Sequence, residues 1–185
     1  RFGLGSVKNV GTSAVDEIVA ERDRNGQFKD FTDFCERIQE TNVNKKCIES
    51  LIKAGAFDEF NETRRTLMES FESILDTITS SNKKELEGQV NMFDLGGSDS
   101  KEMKYTFKEF PEYSRKELLF MEKEMLGLYI SGHPLDNIRH QIEMQTNINS
   151  FQMRQMENTD EIGEEIRQEI KDGQMVKYAG IITKI

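Results

Sequence analysis

Apolar residues in this chain recur at helical spacing in short stretches, and glycine-centred bends separate the first of them. Leu67, Phe71, Ile74, Leu75 and Ile78 follow i, i+4, i+7, i+8 and i+11, the stripe of a helix packed on one face. Val15, Ile18 and Val19 form a shorter stripe between Gly11 and Gly26, opened by Ser13 with Asp16 as a capping-box pair. A second short helix is predicted over Phe31 to Ile38, capped by Thr32 or Asp33. A third, capped by Asn44, carries Cys47, Ile48, Leu51 and Ile52 and stops at Ala54-Gly55-Ala56-Phe57. Such stretches make small helical modules. With apolar residues at 36% and charged residues at 32% of 185, one large core is not expected.

The pattern breaks between Ser80 and Tyr105, where Ser, Asn, Lys and a Gly96-Gly97-Ser98 run read as linker. Ser114 and Glu117 then repeat the capping-box signature, ahead of a helix with Leu118, Met121, Met125 and Leu128 inward. Gly132-His133-Pro134 is expected to end it. A short helix near Asn137 to Met144 and a weak one over Asp160 to Lys171 follow. Met175 to Ile185 reads as a strand, with Val176, Tyr178 and Ile182 on one side, which needs a partner strand.

Charge divides the chain. Residues 1–65 hold 11 basic and 12 acidic groups and residues 66–185 hold 14 and 22, so most of the net −9 lies in the second part. The first third can meet a polyanion if its basic groups share a face; the remainder is unsuited to one. No apolar run is long enough to span a bilayer, and the N-terminal stretch has no secretory-signal pattern. Cys35 and Cys47 alone make no disulfide framework, so a reducing, cytoplasmic home is expected. Arg1 in place of Met suggests a piece of a longer chain.

The two bends, Asn9-Val10-Gly11 and Ala54-Gly55-Ala56, each place a glycine between helices, the helix-hairpin-helix arrangement. Its chemistry belongs to the main chain. Glycine lets the turn approach a phosphate, and the amides of the following helix start point at the anion without reading bases. In the first bend the amides near Gly11, Thr12 and Ser13 would face the phosphate, with Lys8 beside them. In the second, Asp58 and Glu59 repel phosphate, which makes that bend partly structural. The alternative is two ordinary helix–helix turns. In the linker, Gln89-Val90-Asn91-Met92-Phe93 has the form of a docking peptide: two bulky apolar residues fill a pocket and Gln89 bonds its rim.

Other chemistry finds little support. His133 and His140 have no cysteine at ligand spacing, no phosphate-binding glycine loop with Lys-Ser/Thr occurs, and no Asp-x-Asp pair ends a strand pattern. Asp160-Glu161 and Glu164-Glu165 read as a solvated face.

Three blocks resemble a known family: Phe2-Gly3-Leu4-Gly5-Ser6-Val7-Lys8-Asn9-Val10-Gly11; Val43-Asn44-Lys45-Lys46 through Leu51-Ile52-Lys53-Ala54-Gly55-Ala56-Phe57-Asp58; and Glu122 to Tyr129 with Ser131-Gly132-His133-Pro134-Leu135-Asp136. They are similar to the alpha subunits of bacterial DNA polymerase III, the C-family replicative polymerases. The resemblance implies the region after the fingers. That gives a mainly α fold: a tandem helix-hairpin-helix domain for duplex DNA over 1–80, a linker with a clamp-binding peptide over 81–110, a helical connector over 111–150, and the truncated start of an OB fold over 151–185. It maps duplex contacts onto Lys8, Asn9, Val10, Gly11, Thr12, Ser13, Ala54, Gly55 and Ala56, and sliding-clamp contacts onto Gln89, Met92 and Phe93. Asn9 stands where the general hairpin pattern often has glycine. The implied partners are double-stranded DNA, the clamp (beta subunit) and other holoenzyme subunits, with no membrane. The parent polymerase is expected to use Mg2+, held by nucleotidyltransferase carboxylates upstream, so no cofactor and no catalytic residue are expected here. Two rivals are a protein-interaction module whose bends never touch DNA and an accessory domain of a repair nuclease.

Overall fold

The computed structural model describes residues 3–86, 108–157 and 173–182, and among these the regular structure is helical throughout. The chain divides into two compact units, Arg1–Gly132 and His133–Ile185.

The first unit opens with a 3-10 turn, Leu4–Ser6, followed by α1 (Thr12–Asn25), α2 (Phe31–Ile38), α3 (Lys45–Lys53), α4 (Arg64–Leu86) and α5 (Arg115–Leu126). Helices α2 and α3 pack on α4, α1 packs on α2, and α5 lies against α3. The core takes Ala14 and Ile18 from α1, Phe31, Phe34, Cys35 and Ile38 from α2, and Cys47, Ile48, Leu51 and Ile52 from α3. It also takes Leu67, Phe71, Ile74 and Ile78 from α4, the stripe read from spacing. Phe57, beyond the second bend, closes the core edge-on against Phe31 and Phe34 at ring separations of 5.1 and 4.9 Å. Burial pushes the Cys35 thiol up to about 12, as suits a packing residue rather than a nucleophile.

Local capping explains most boundaries. The Asn44 side chain accepts the Cys47 amide, and Ser114 with Glu117 forms both halves of a capping box. Three caps differ from expectation. The α2 cap is Asp30, which accepts the Asp33 amide, so Thr32 and Asp33 lie inside the helix. The α1 cap is Gly11, which leaves Ser13 in the first turn and the Ser13–Asp16 box unformed. Helix α5 ends at Leu126, before the expected Gly132-His133-Pro134, because Gly127 turns left-handed at φ +75° and its amide closes on the Lys123 carbonyl. Met125 is buried as expected, but Leu119 and Glu122 are buried where Leu118 and Met121 are only half-buried, and Leu128 is exposed and beyond the helix. Helix α4 runs on to Leu86, through the polar stretch that reads as linker from Ser80. Residues 111–132, read as part of a separate connector, pack into the first unit.

The second unit holds a 3-10 turn at Asp136–Ile138, α6 (Arg139–Gln145) and α7 (Ser150–Glu157). Helix α7 is capped reciprocally by Asn149 and Gln152, a signal that the sequence reading passed over. His133 accepts the Leu135 amide at Nδ1, 3.2 Å away, a structural part in its turn. Residues 174–182 form no strand. They are held by Asn147, whose amide donates to the Lys177 carbonyl and whose side chain accepts the Lys177 amide. No ladder partner is present among the described residues. The helix expected over Asp160 to Lys171, with its acidic pairs, lies outside the described residues. No helix of the described residues is long and apolar enough to cross a membrane.

Candidate nucleic-acid interface

The first bend is fixed from below and open above. Val7 and Val10 are buried in the core, and the Val10 amide donates to the Val7 carbonyl at 3.1 Å. Between them Lys8 and Asn9 are exposed. Asn9 has φ +65°, the only non-glycine in the left-handed region among the described residues. Asparagine tolerates that region, so it supplies here the turn that glycine supplies in the general hairpin pattern. Its side-chain amide donates to Ser50 Oγ on α3 at 3.1 Å. Asn9→Val should therefore cost about 1–2 kcal/mol in urea unfolding. Asn9→Gly, which gives up only the Ser50 bond, should cost under about 1 kcal/mol.

Gly11 begins α1. Its own backbone is extended, φ −77° and ψ 158°, so it is not there for a left-handed turn. A Cβ added at Gly11 would meet no protein atom within 4 Å, and Gly11, Thr12 and Ser13 are exposed. A glycine cap has no side chain to offer the first amides, and the first turn holds no acidic residue. The amides of the exposed Thr12 and Ser13 therefore lie at the positive end of a 14-residue helix.

Asn9 seats the bend on a face of α3 whose lysines the sequence reading did not single out. Lys46, Glu49, Ser50 and Lys53 share that face at i, i+3, i+4 and i+7. Lys53 and Lys46 reach Glu49 at 2.6 and 3.1 Å, and Lys53 foremost holds the Glu49 carboxyl below its usual range. Two cations to one carboxylate leave the face positive. The spacing was visible in the sequence, but its position beside the bend depends on Asn9.

The second bend is different. The amides of Ala54, Gly55 and Ala56 donate to the carbonyls of Ser50, Ile52 and Leu51, each at 3.0 Å. No helix starts there; the chain turns through Asp58 and Phe60 before α4 begins at Arg64. Gly55 is left-handed at φ +78°, and the space beside it is filled by the Arg64 guanidinium. Arg64 is paired with Asp58 through Nε at 2.7 Å and Nη2 at 2.5 Å. The amide donors of Ala54, Gly55 and Ala56 are thus spent within the fold.

Gln89, Met92 and Phe93 lie outside the described residues, but the ends of their segment are placed. It leaves at Leu86, the end of α4. The chain returns at the start of α4, where Phe110 exchanges hydrogen bonds with Thr66 and the Glu112 carboxylate accepts the amides of Arg64 and Arg65. The gap is the length of α4, about 33 Å. Residues 87–107 can reach roughly 70 Å when extended, twice that gap.

Residues 1–67 match the family model described as a helix-hairpin-helix motif. The chain is 38% identical over 149 residues to DNA polymerase III subunit alpha of Borreliella burgdorferi, covering 80% of this chain and 13% of that protein. It is 41% identical over 147 residues to the protein of the same name from Mycobacterium leprae, covering 78% and 12%. The Campylobacter jejuni protein of that name is 37% identical over 166 residues, covering 87% and 13%. The chain thus spans about an eighth of the length of these curated relatives.

Proposed function

The chain belongs to the family of DNA polymerase III alpha subunits, and on that premise we propose that it is a holding arm, gripping duplex DNA at its first bend and tethering to a sliding clamp through Gln89, Met92 and Phe93. The observation that carries the grip is the uncapped, acid-free start of α1 beside an open Gly11 and an exposed Lys8. The Thr12 and Ser13 amides donate to the oxygens of a backbone phosphate, and the Lys8 ammonium supplies charge beside them. Nothing in this contact distinguishes one base from another, as suits a protein that holds whatever duplex it meets. We assign the arm no bond-making step.

Affinity at one bend is weak, and the second contact compensates. A peptide on a segment longer than the gap it bridges can seat on a ring around the same duplex while the bend holds the phosphates, which raises local concentration without a tight contact at either place. The segment 174–182 is the opening of the OB fold in this reading. Met175, Tyr178 and Ile182 are 88, 51 and 78% exposed, an apolar edge suited to partner strands. Other holoenzyme subunits, in the cytoplasm, complete the setting.

Gly11→Ser tests the grip with opposite signs. A serine cap accepts the Ser13 amide at its side-chain oxygen and raises stability by a few tenths of a kcal/mol. The same bond takes away a phosphate donor, so duplex affinity should fall about tenfold. Gly11→Val should also weaken binding, by steric exclusion. Binding of the unaltered chain should fall with added salt, with a log–log slope of about −0.9 for each phosphate held. A stabilised Gly11→Ser variant with undiminished affinity, or no duplex binding at low salt, would favour the protein-interaction module.

A further inference from the structure

The mechanism above leaves unused a buried ionic pair on the far side of the bend. Arg64 is 8% exposed and Glu122 is 2% exposed. Arg64 Nη2 lies 3.5 Å from Glu122 Oε1, while Nη1 donates to the Lys53 carbonyl at 3.2 Å and the rest of the fork engages Asp58. Glu122 Oε2 accepts the amides of Ile130 and Ser131 at 2.9 and 3.0 Å. Burial pushes the Glu122 carboxyl up. The Ser131 and Ile130 amides and Arg64 outweigh burial and leave it below its usual range, hence charged at neutral pH.

Three residues beyond Glu122, the Met125 carbonyl accepts the Lys8 amide at 2.8 Å. This bond ties the main chain of the first bend to α5. Helix α5 in turn meets the α3–α4 corner through the Arg64–Glu122 pair, at the point where Arg64 fills the space beside Gly55. The two bends are therefore connected: the second contributes no amide to a phosphate, but it houses the guanidinium that anchors the helix holding the first.

We propose that Arg64 and Glu122 are positioning residues for the phosphate grip, fixing α5 so that Met125 holds the Lys8 end of the bend in its binding shape. The proposal rests on the grip assigned to the first bend, and the test separates the two. Amide hydrogen exchange in the 185-residue chain supplies an internal standard, because the Val10 amide is bonded within the bend to Val7 whereas the Lys8 amide depends on α5. In Glu122→Gln, which keeps an acceptor for Ile130 and Ser131 but loses the charge facing Arg64, exchange at Lys8 should quicken at least tenfold. Exchange at Val10 should stay within about twofold of the unaltered chain. Arg64→Lys, which keeps the charge but not the fork, should act in the same direction, and duplex affinity should fall in both.

Unchanged exchange at Lys8, or equal acceleration at Lys8 and Val10 in both variants, would overturn the proposal. So would a loosened Lys8 with full duplex affinity in both variants while Gly11→Ser still weakens binding, since the grip would then stand without the anchor. Full affinity in all three variants would remove the grip itself.

Discussion

Gly55→Val is expected to destabilise the chain by about 3–5 kcal/mol, read from the midpoint of urea unfolding followed by far-ultraviolet circular dichroism. Two costs combine. At φ +78° a β-branched residue is strained, at about 1–2 kcal/mol. The larger cost is electrostatic. A Cβ at Gly55 would lie 2.2 Å from Arg64 Nη2 and 2.7 Å from both Arg64 Cζ and Asp58 Oδ2. These are ends of side chains that can swing away, so the steric clash itself is avoidable. Swinging Arg64 away leaves Glu122 charged and buried without its cation, and breaking a buried pair from one side costs several kcal/mol. Gly127 isolates the first cost: it is left-handed at φ +75°, with nothing within 4 Å of an added Cβ. Gly127→Val should therefore lose only the strain. If the two variants unfold at the same midpoint, Arg64 is not held in place as described.

The contrast among these glycines marks where the sequence was readable. Gly55 was recognisable as a bend, since glycine after a helical stripe ends helices. What fills the space beside it was not, because Arg64 and Glu122 are far apart in sequence and meet only once α3, α4 and α5 have packed. A reading by hydropathy also turns every glutamate outward, so Glu122 was left off the expected inward face of α5, which shares only Met125 with the buried one. Local signals fared better: Asn44, the Ser114–Glu117 box and the α4 stripe each depend on residues within a few turns. Gly11 falls between these cases. The bend and its lysine were visible, but the sequence assigned a capping box to Ser13. Only the backbone reveals that a glycine cap leaves the helix start bare. Asn9 is similar: it stands where the general hairpin pattern often has glycine, and only its conformation, φ +65°, reveals that asparagine can make the same turn.

The doubly changed Met92→Ala/Phe93→Ala chain is expected to bind the sliding clamp at least about 100-fold more weakly than the unaltered chain, by surface plasmon resonance against immobilised beta subunit. Seating two large apolar side chains in a pocket is worth about 1.5–3 kcal/mol each before ordering costs, so removing both takes away most of what so short a peptide can supply. Gln89→Ala, which gives up a hydrogen bond at the rim, should cost only several-fold. In this reading the peptide stands apart from the core of the first unit, whose described buried residues come from the bends and helices before and after residues 87–107. The unfolding midpoint and duplex affinity should therefore hold, while Gly11→Ser should show the reverse pattern, with duplex binding lowered and clamp binding kept. This double dissociation is what a two-contact arm requires, because avidity from linked weak sites needs each to act alone. A double-alanine chain that still bound the clamp would move the tether elsewhere in the molecule. If it lost clamp and duplex together, the peptide would be a structural part of the fold rather than an independent hook.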